Sequence, residues 1–230
     1  MSRAAVVTQV QLLPRIHQVK RYADADVLVL MDDHQFGPHW QRRTLLKGQE
    51  GVFWLTVPTS GSRRGHVKEI QADLSQETVT WLLETIRHAY SRATFFEEVF
   101  GQISGLIRPC PRPIYELNRL LTYWILTYLD IGIEVVEQSA LGTFTETKTD
   151  LMVSLTKAAG CDVYHCGQEA IDHFYETEKF EEAGIALWPQ NWEQPKYRQL
   201  WEGDFRYGLS ILDMLMNVGR HETRRLLDVR

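Results

Sequence analysis

The chain has 230 residues, 44% hydrophobic and 24% charged, enough for a buried core in one large domain or one domain with a small appendage. A net charge of −5 and a pI near 5.9 exclude a general nucleic-acid coat but leave room for a local basic patch. The odd set Cys110, Cys161 and Cys166 lacks disulfide or zinc spacing, no apolar run approaches the ~18 residues of a membrane span, and the first residues lack a signal-peptide core, so a cytoplasmic protein is expected.

Ala4 to Val10 is predicted as a strand ended by Pro14, and Ile16 to Ala23 as a short helix. Asp26 to Met31 is a continuous apolar run, as in a strand covered on both faces. It leads into Asp32-Asp33-His34-Gln35-Phe36 and a basic segment with Arg42, Arg43 and Lys47. Val52 to Val57 is a further strand, Ser60 to Gly65 a flexible loop, and Val67 to Ala72 a short strand. Ser75, Thr78, Val79, Leu82, Leu83 and Ile86 set a helical period through Tyr90, and Ala93 to Phe100 continues as helix. Pro109, Pro111 and Pro113 break the chain before an apolar helix from Ile114 to Leu129. Then come a strand (Ile133 to Gln138), a helix (Glu146 to Ala159) and a strand (Asp162 to Cys166). A helix from Phe174 to Ala183 and a strand from Ile185 to Trp188 follow. Two closing helices, Leu209 to Met216 and His221 to Leu227, are divided by Gly219. Alternating strands and helices predict an α/β domain with a largely parallel sheet. The Pro-rich stretch separates an N-terminal α/β half, residues 1–108, from a helix-rich C-terminal half, residues 109–230, within one compact domain.

Asp32-Asp33 stands at the carboxyl end of a strand, where open α/β sheets bind ligands. The pair suits holding Mg²⁺ or taking a proton from an amine; alternatively one carboxylate caps a turn and the other is solvated. Arg42 and Arg43, with Lys47, suit an anion, because arginine offers a bidentate fork that lysine does not. Alone they would be a solvated face. Arg63-Arg64 puts the same chemistry on a Gly/Ser loop. Lys148 lies at a helix start, where free amides favour an anion, although a capped helix with solvated charges explains the same pattern. His165 ends an apolar strand and suits either acid/base work or a satisfied core position. Seven tryptophans include Trp188, Trp192 and Trp201 near Tyr197; most belong to a core, and one or two suit stacking on a ring.

Taken together, these segments resemble the WbqC-like family. The resemblance runs along almost the whole chain. It is carried by Gln9 and Pro14, Asp26 to Phe36, Trp40-Gln41-Arg42-Arg43 and Trp54 to Pro58. Lys148-Thr149, Tyr164 with Gly167, Phe180 to Ile185, Pro195 to Gln199, Ser210 to Asp213, Asn217 and Gly219 complete it. Departures fall at Val10, Leu12, His17, Gln18, Thr78 and Leu82, where the family carries other residues.

The resemblance implies a bacterial or phage transferase. Some members belong to O-antigen clusters. A phage branch is similar to amino acid:DNA transferases, which join glycine to a pyrophosphorylated 5-hydroxymethyl-pyrimidine in DNA. The expected fold is α/β, Rossmann-like, with a helix-rich C-terminal part. The expected function is amino-acid transfer in DNA hypermodification, in a host cytoplasm if phage-encoded. The alternatives are amino-acid or acyl transfer to a nucleotide-linked amino sugar, and a non-catalytic nucleotide or carbohydrate module. Expected catalytic residues are Asp32, Asp33, Arg42 and Arg43; expected substrate contacts are Gln9, Gln35, Lys47, Trp54, Lys148, His165, Tyr197 and Asp213. The partners are a free amino acid and modified DNA, with no membrane and no required cofactor; Mg²⁺ would enter through the aspartates.

Overall fold

The computed structural model describes residues 2–62 and 64–229, so Arg63 of the loop pair lies outside the described residues. β1 (Ala4–Gln9) leads through α1 (Ile16–Asp24) to β2 (Val27–Met31). All five residues of β2 are buried, as a central parallel strand requires. Alternate side chains serve opposite faces: Leu28 and Leu30 join one core cluster, Val27, Val29 and Met31 the other.

The basic segment after β2 is itself a strand. β3 (Arg43–Gly48) and β4 (Gly51–Thr56) form an antiparallel hairpin, with Arg43 opposite Thr56. β5 (Thr59–Ser60), β6 (Gln71–Ala72) and β7 (Arg112–Pro113) make a small separate sheet. The strand expected over Val67 to Ala72 is instead a 3₁₀ turn, Val67–Glu69, followed by β6. α2 (Gln76–Tyr90) is capped by Ser75, whose Oγ accepts the Thr78 amide at 3.2 Å. α3 (Phe96–Leu106) and α4 (Ile114–Tyr128) follow.

β8 (Glu134–Glu137) passes through α5 (Gln138–Leu141) and α6 (Lys148–Ala158) to β9 (Val163–Gly167). The helix expected from Phe174 to Ala183 is shorter, α8 (Thr177–Glu182), and it is preceded by a helix outside the expected range, α7 (Gln168–His173). The chain turns between them because Glu176 N–H is drawn to Thr149 Oγ1 at 3.2 Å and Tyr175 packs against Tyr164 and Phe180. β10 (Ala186–Gln190) and α9 (Ile211–Leu226) complete the chain. Gly219 bends α9 at φ 75°, ψ 178°, at the position expected to divide two helices.

β1, β2, β8, β9 and β10 form one parallel sheet in the order β10-β9-β1-β2-β8. The chain winds outward from β1 through β2 to β8, returns to β9 beside β1, and continues to β10. This is the doubly wound, Rossmann-like order, and its winding reverses between β1 and β9. β1 and β2 precede the Pro-rich stretch and β8, β9 and β10 follow it, so one sheet draws on both halves. Residues of α1 and α9 pack in one core cluster and those of α6 and α8 in the other, covering both faces.

Candidate functional site

A cleft of about 790 Å³ opens where β1 and β9 end. Ligand crevices of open α/β sheets lie at such a reversal, and the volume falls within the usual ~300–1,000 Å³ of small-molecule sites. Gln18 and Arg21 of α1 line the cleft, as do Glu146 and Thr147 just before α6. The segment after β2 contributes Asp33, His34 and Gln35. Phe174, 69% exposed, stands on the wall beside His173 and Tyr175.

Five expected residues meet here: Gln9, Asp33, Gln35, Lys148 and His165. The Gln9 amide oxygen accepts from Gln41 Nε2 at 3.2 Å. Lys148 begins α6 at φ 54°, a left-handed conformation that costs a non-glycine residue about 1–2 kcal/mol. Thr147 supplies no side-chain cap, so the first-turn amides of α6 stay open beside the Lys148 ammonium. His165 is buried; its Nδ1 donates to Trp188 O at 2.8 Å and its ring stacks on Trp188 at 4.2 Å. Its Nε2 lies 3.7 Å from Asp24 and makes no hydrogen bond.

The two aspartates are placed differently. Asp32 is fully buried; Oδ1 accepts Ser139 N–H at 2.9 Å, and Oδ2 accepts Ser139 Oγ at 2.6 Å and Lys68 Nζ at 2.5 Å. Burial pushes this carboxyl up, but Lys68 and the Ser139 donors outweigh it and hold it below the ordinary carboxylate range. Asp33 is exposed to the cleft and accepts from His66 Nε2 at 2.8 Å. His66 Nδ1 accepts the Lys68 amide at 3.4 Å, which fixes the ring proton on Nε2. Nearby His34 is held neutral, pushed down to about 4 first by burial and then by His66. A Mg²⁺ ion does not fit the aspartate pair: Lys68 occupies the cation position at Asp32. Among the described residues no three His, Cys, Asp or Glu side chains come together as a metal set.

The remaining expected residues lie elsewhere. Arg42 lines a separate cavity of about 220 Å³ with Thr59 and Ser62. Arg43 donates to His39 O at 3.1 Å and lies over the Trp54 ring at 4.3 Å, with the Trp40 ring tilted against Trp54 at 5.1 Å. Buried Lys47 and Asp213 cluster with half-buried Tyr197: Asp213 accepts from Tyr90 at 2.9 Å and Tyr197 at 2.6 Å, and Lys47 donates to Trp201 O at 3.2 Å. Burial raises Asp213 to about 6, with Tyr197, Tyr90 and Lys47 opposing only in part.

Arg21, Gln18 and His66 are the site residues that sequence reasoning passes over. For Arg21 and Gln18 a signal exists: they share a face of the helix that directly follows β1, three residues apart.

Among the described residues no helix is long and apolar enough to cross a membrane. A family model described as the WbqC-like protein family matches residues 9–225. The chain is also similar to "Uncharacterized protein Rv1507c" of Mycobacterium tuberculosis (strain ATCC 25618 / H37Rv), 28% identical over 226 residues and 95% of each chain.

Proposed function

The chain belongs to the WbqC-like protein family, and from that premise we propose that it is a transferase joining the amine of a small amino acid, glycine, to a pyrophosphate-activated 5-hydroxymethyl-pyrimidine in DNA. One observation carries the proposal: the open N-terminus of α6 with Lys148 shares the switch-point cleft with the exposed carboxylate of Asp33. The first is suited to a leaving pyrophosphate, the second to a proton acceptor.

In the proposed step the amine nitrogen attacks the CH₂ carbon. The carbon–oxygen bond breaks, and its electron pair leaves with pyrophosphate onto Lys148 and the α6 amides. Asp33 takes the ammonium proton while His66 holds its other oxygen. Asp32 tethers the end of β2 and never meets substrate. Arg42, Arg43 and Trp54 stand outside the cleft wall, which leaves the anion to Lys148. Lys47, Tyr197 and Asp213 also lie outside the cleft wall and brace the fold.

A second function, amino-acid or acyl transfer to a nucleotide-linked amino sugar, is favoured by the net charge of −5, which lacks the broad basic surface of a duplex-binding protein. The test is direct. The protein is incubated with glycine and DNA carrying pyrophosphorylated 5-hydroxymethyluracil, and the digest is searched by mass spectrometry for a glycyl base and for released pyrophosphate. A parallel arm uses a nucleotide-linked amino sugar. Adduct only in that arm replaces the first function with the second; adduct in neither rejects both.

A further inference from the structure

We infer that Arg21, Gln18 and Gly167 form a carboxylate seat in the cleft, which receives the α-carboxylate of the amino-acid substrate. The starting point is a missing counter-ion. Arg21 lines the cleft half-buried and pairs with no carboxylate among the described residues. Its Nε is buried without a partner. A guanidinium withdrawn from water and left unpaired is costly, so an anion that completes it binds with that cost already met by the fold.

The group is also aimed. The Gln18 amide oxygen accepts from Arg21 Nη2. Gln18 is 4% exposed and gives its amide nitrogen to Thr8 Oγ1 at 3.0 Å, which fixes which end faces Arg21. The contact takes one Nη2 hydrogen and leaves Nη1 and the other Nη2 hydrogen for a ligand, and the two donors at that end of the planar fork match the two oxygens of a carboxylate.

Gly167 completes the seat. Its φ of −77° suits any residue, so the backbone does not demand glycine there. Space does: a Cβ would lie 2.9 Å from Arg21 Nη1. The carboxylates that line the cleft are engaged elsewhere, Asp33 with His66 and Glu146 with Thr145 N–H and Ser154 Oγ, and neither forms an ion pair with Arg21. Burial, with Arg15 and Arg21, keeps His17 neutral, down to about 3, and burial pushes the Cys166 thiol up to about 11. The Tyr164 and Tyr175 hydroxyls bond each other at 2.8 Å.

The position separates this anion from the pyrophosphate. Arg21 comes from α1 on one face of the sheet, whereas Lys148 begins α6 on the other. Naming the carboxylate as an amino acid's rests on the transferase proposed above, but the test needs no turnover.

Glycine and, separately, inorganic pyrophosphate are titrated calorimetrically into the full-length protein, its Arg21→Met and Arg21→Lys variants, and Gly167→Ala. The Gly167→Ala change meets only the tip of a flexible side chain, so it displaces the guanidinium and leaves the strand in place. The expected result is at least tenfold weaker glycine binding in all three variants, with pyrophosphate affinity within twofold of wild type and unchanged melting. Unaltered glycine affinity in Arg21→Met, no saturable glycine binding to wild type, or selective loss of pyrophosphate binding each overturns the seat. Intact, Arg21-dependent glycine binding without transfer to any acceptor instead rejects the transferase and leaves the seat standing.

Discussion

Asp32 and Asp33 are neighbours in sequence with opposite fates, and the difference is one of donors. Asp32 is buried and meets three donors, whereas Asp33 meets one, with its other side open to the cleft. Asp33→Asn is therefore expected to lower turnover by about 10²-fold or more with unchanged melting, the usual scale for a lost general base. Asp32→Ala is expected to cost about 2–3 kcal/mol in denaturant unfolding, less than a fully buried pair because Lys68 keeps contact with water. The reverse pattern would exchange their roles. Protonation gives a second handle. Asp32 is depressed, so its contribution is full above the unfolded carboxylate value and is lost as the pH falls below it. Asp213 runs the other way. Its folded value of about 6 exceeds the ordinary 3.8, so the folded state keeps a proton that the unfolded state has released. Its contribution is greatest below the unfolded value and falls as the pH rises to about 6. Unfolding free energies of wild type and Asp213→Asn across pH 4.5 to 7 should lose that slope in the variant; parallel curves would place the proton elsewhere. The sequence locates the aspartate pair at a strand end, because apolar run and charge are adjacent in the chain. It does not divide their roles, since Lys68 and Ser139 arrive from distant segments. Arg21 is hidden for the same reason: only the packing of β9 beside β1 turns that face of α1 toward a cleft.

Elements whose pattern is local are legible, and those decided by partners are not. The apolar run of β2 and the periods of α2 and α4 announce themselves because burial of those side chains defines them. The strand β4 is legible as the run Val52 to Val57, but its partner β3 is obscured by Arg42, Arg43 and Lys47, which imitate a solvated linker. In the fold Arg43 stacks on Trp54, while Lys47 is buried against the Trp201 carbonyl. Gly219 is the opposite case, a break readable from one residue. It holds φ 75° and ψ 178°, a region open only to glycine, and a Cβ there would lie 2.6 Å from the Phe95 ring. Gly219→Ala is expected to destabilise by about 1–3 kcal/mol from backbone strain, with the Phe95 clash added to it. A melting temperature equal to wild type would mean that the bend in α9 is not enforced.

At the scale of the whole molecule, the Pro-rich stretch suggests a seam that the sheet does not respect. β1 lies between β2, from before the stretch, and β9, from after it; β2 in turn pairs with β8. The small sheet joins β6 to β7 across the same boundary. A fragment ending at Arg108 would keep β1 and β2 but expose one edge of each. It would also lose the α4 side chains, Leu117, Leu121 and Ile125, that bury the larger core. Two parallel strands, a hairpin and three helices without α4 and α9 to pack on cannot offset the conformational entropy of some hundred residues, which is of order 100 kcal/mol. Circular dichroism of that fragment should therefore show an unfolded chain. The full protein should unfold in one transition, with tryptophan fluorescence and far-ultraviolet signals coincident. The cleft gives this cooperativity a functional consequence, because its walls come from both sides of the stretch: Arg21 and Asp33 from one, Lys148 and Gly167 from the other. Two separated transitions, or a folded fragment, would show that the halves are stable apart and that the cleft is a junction between independent units.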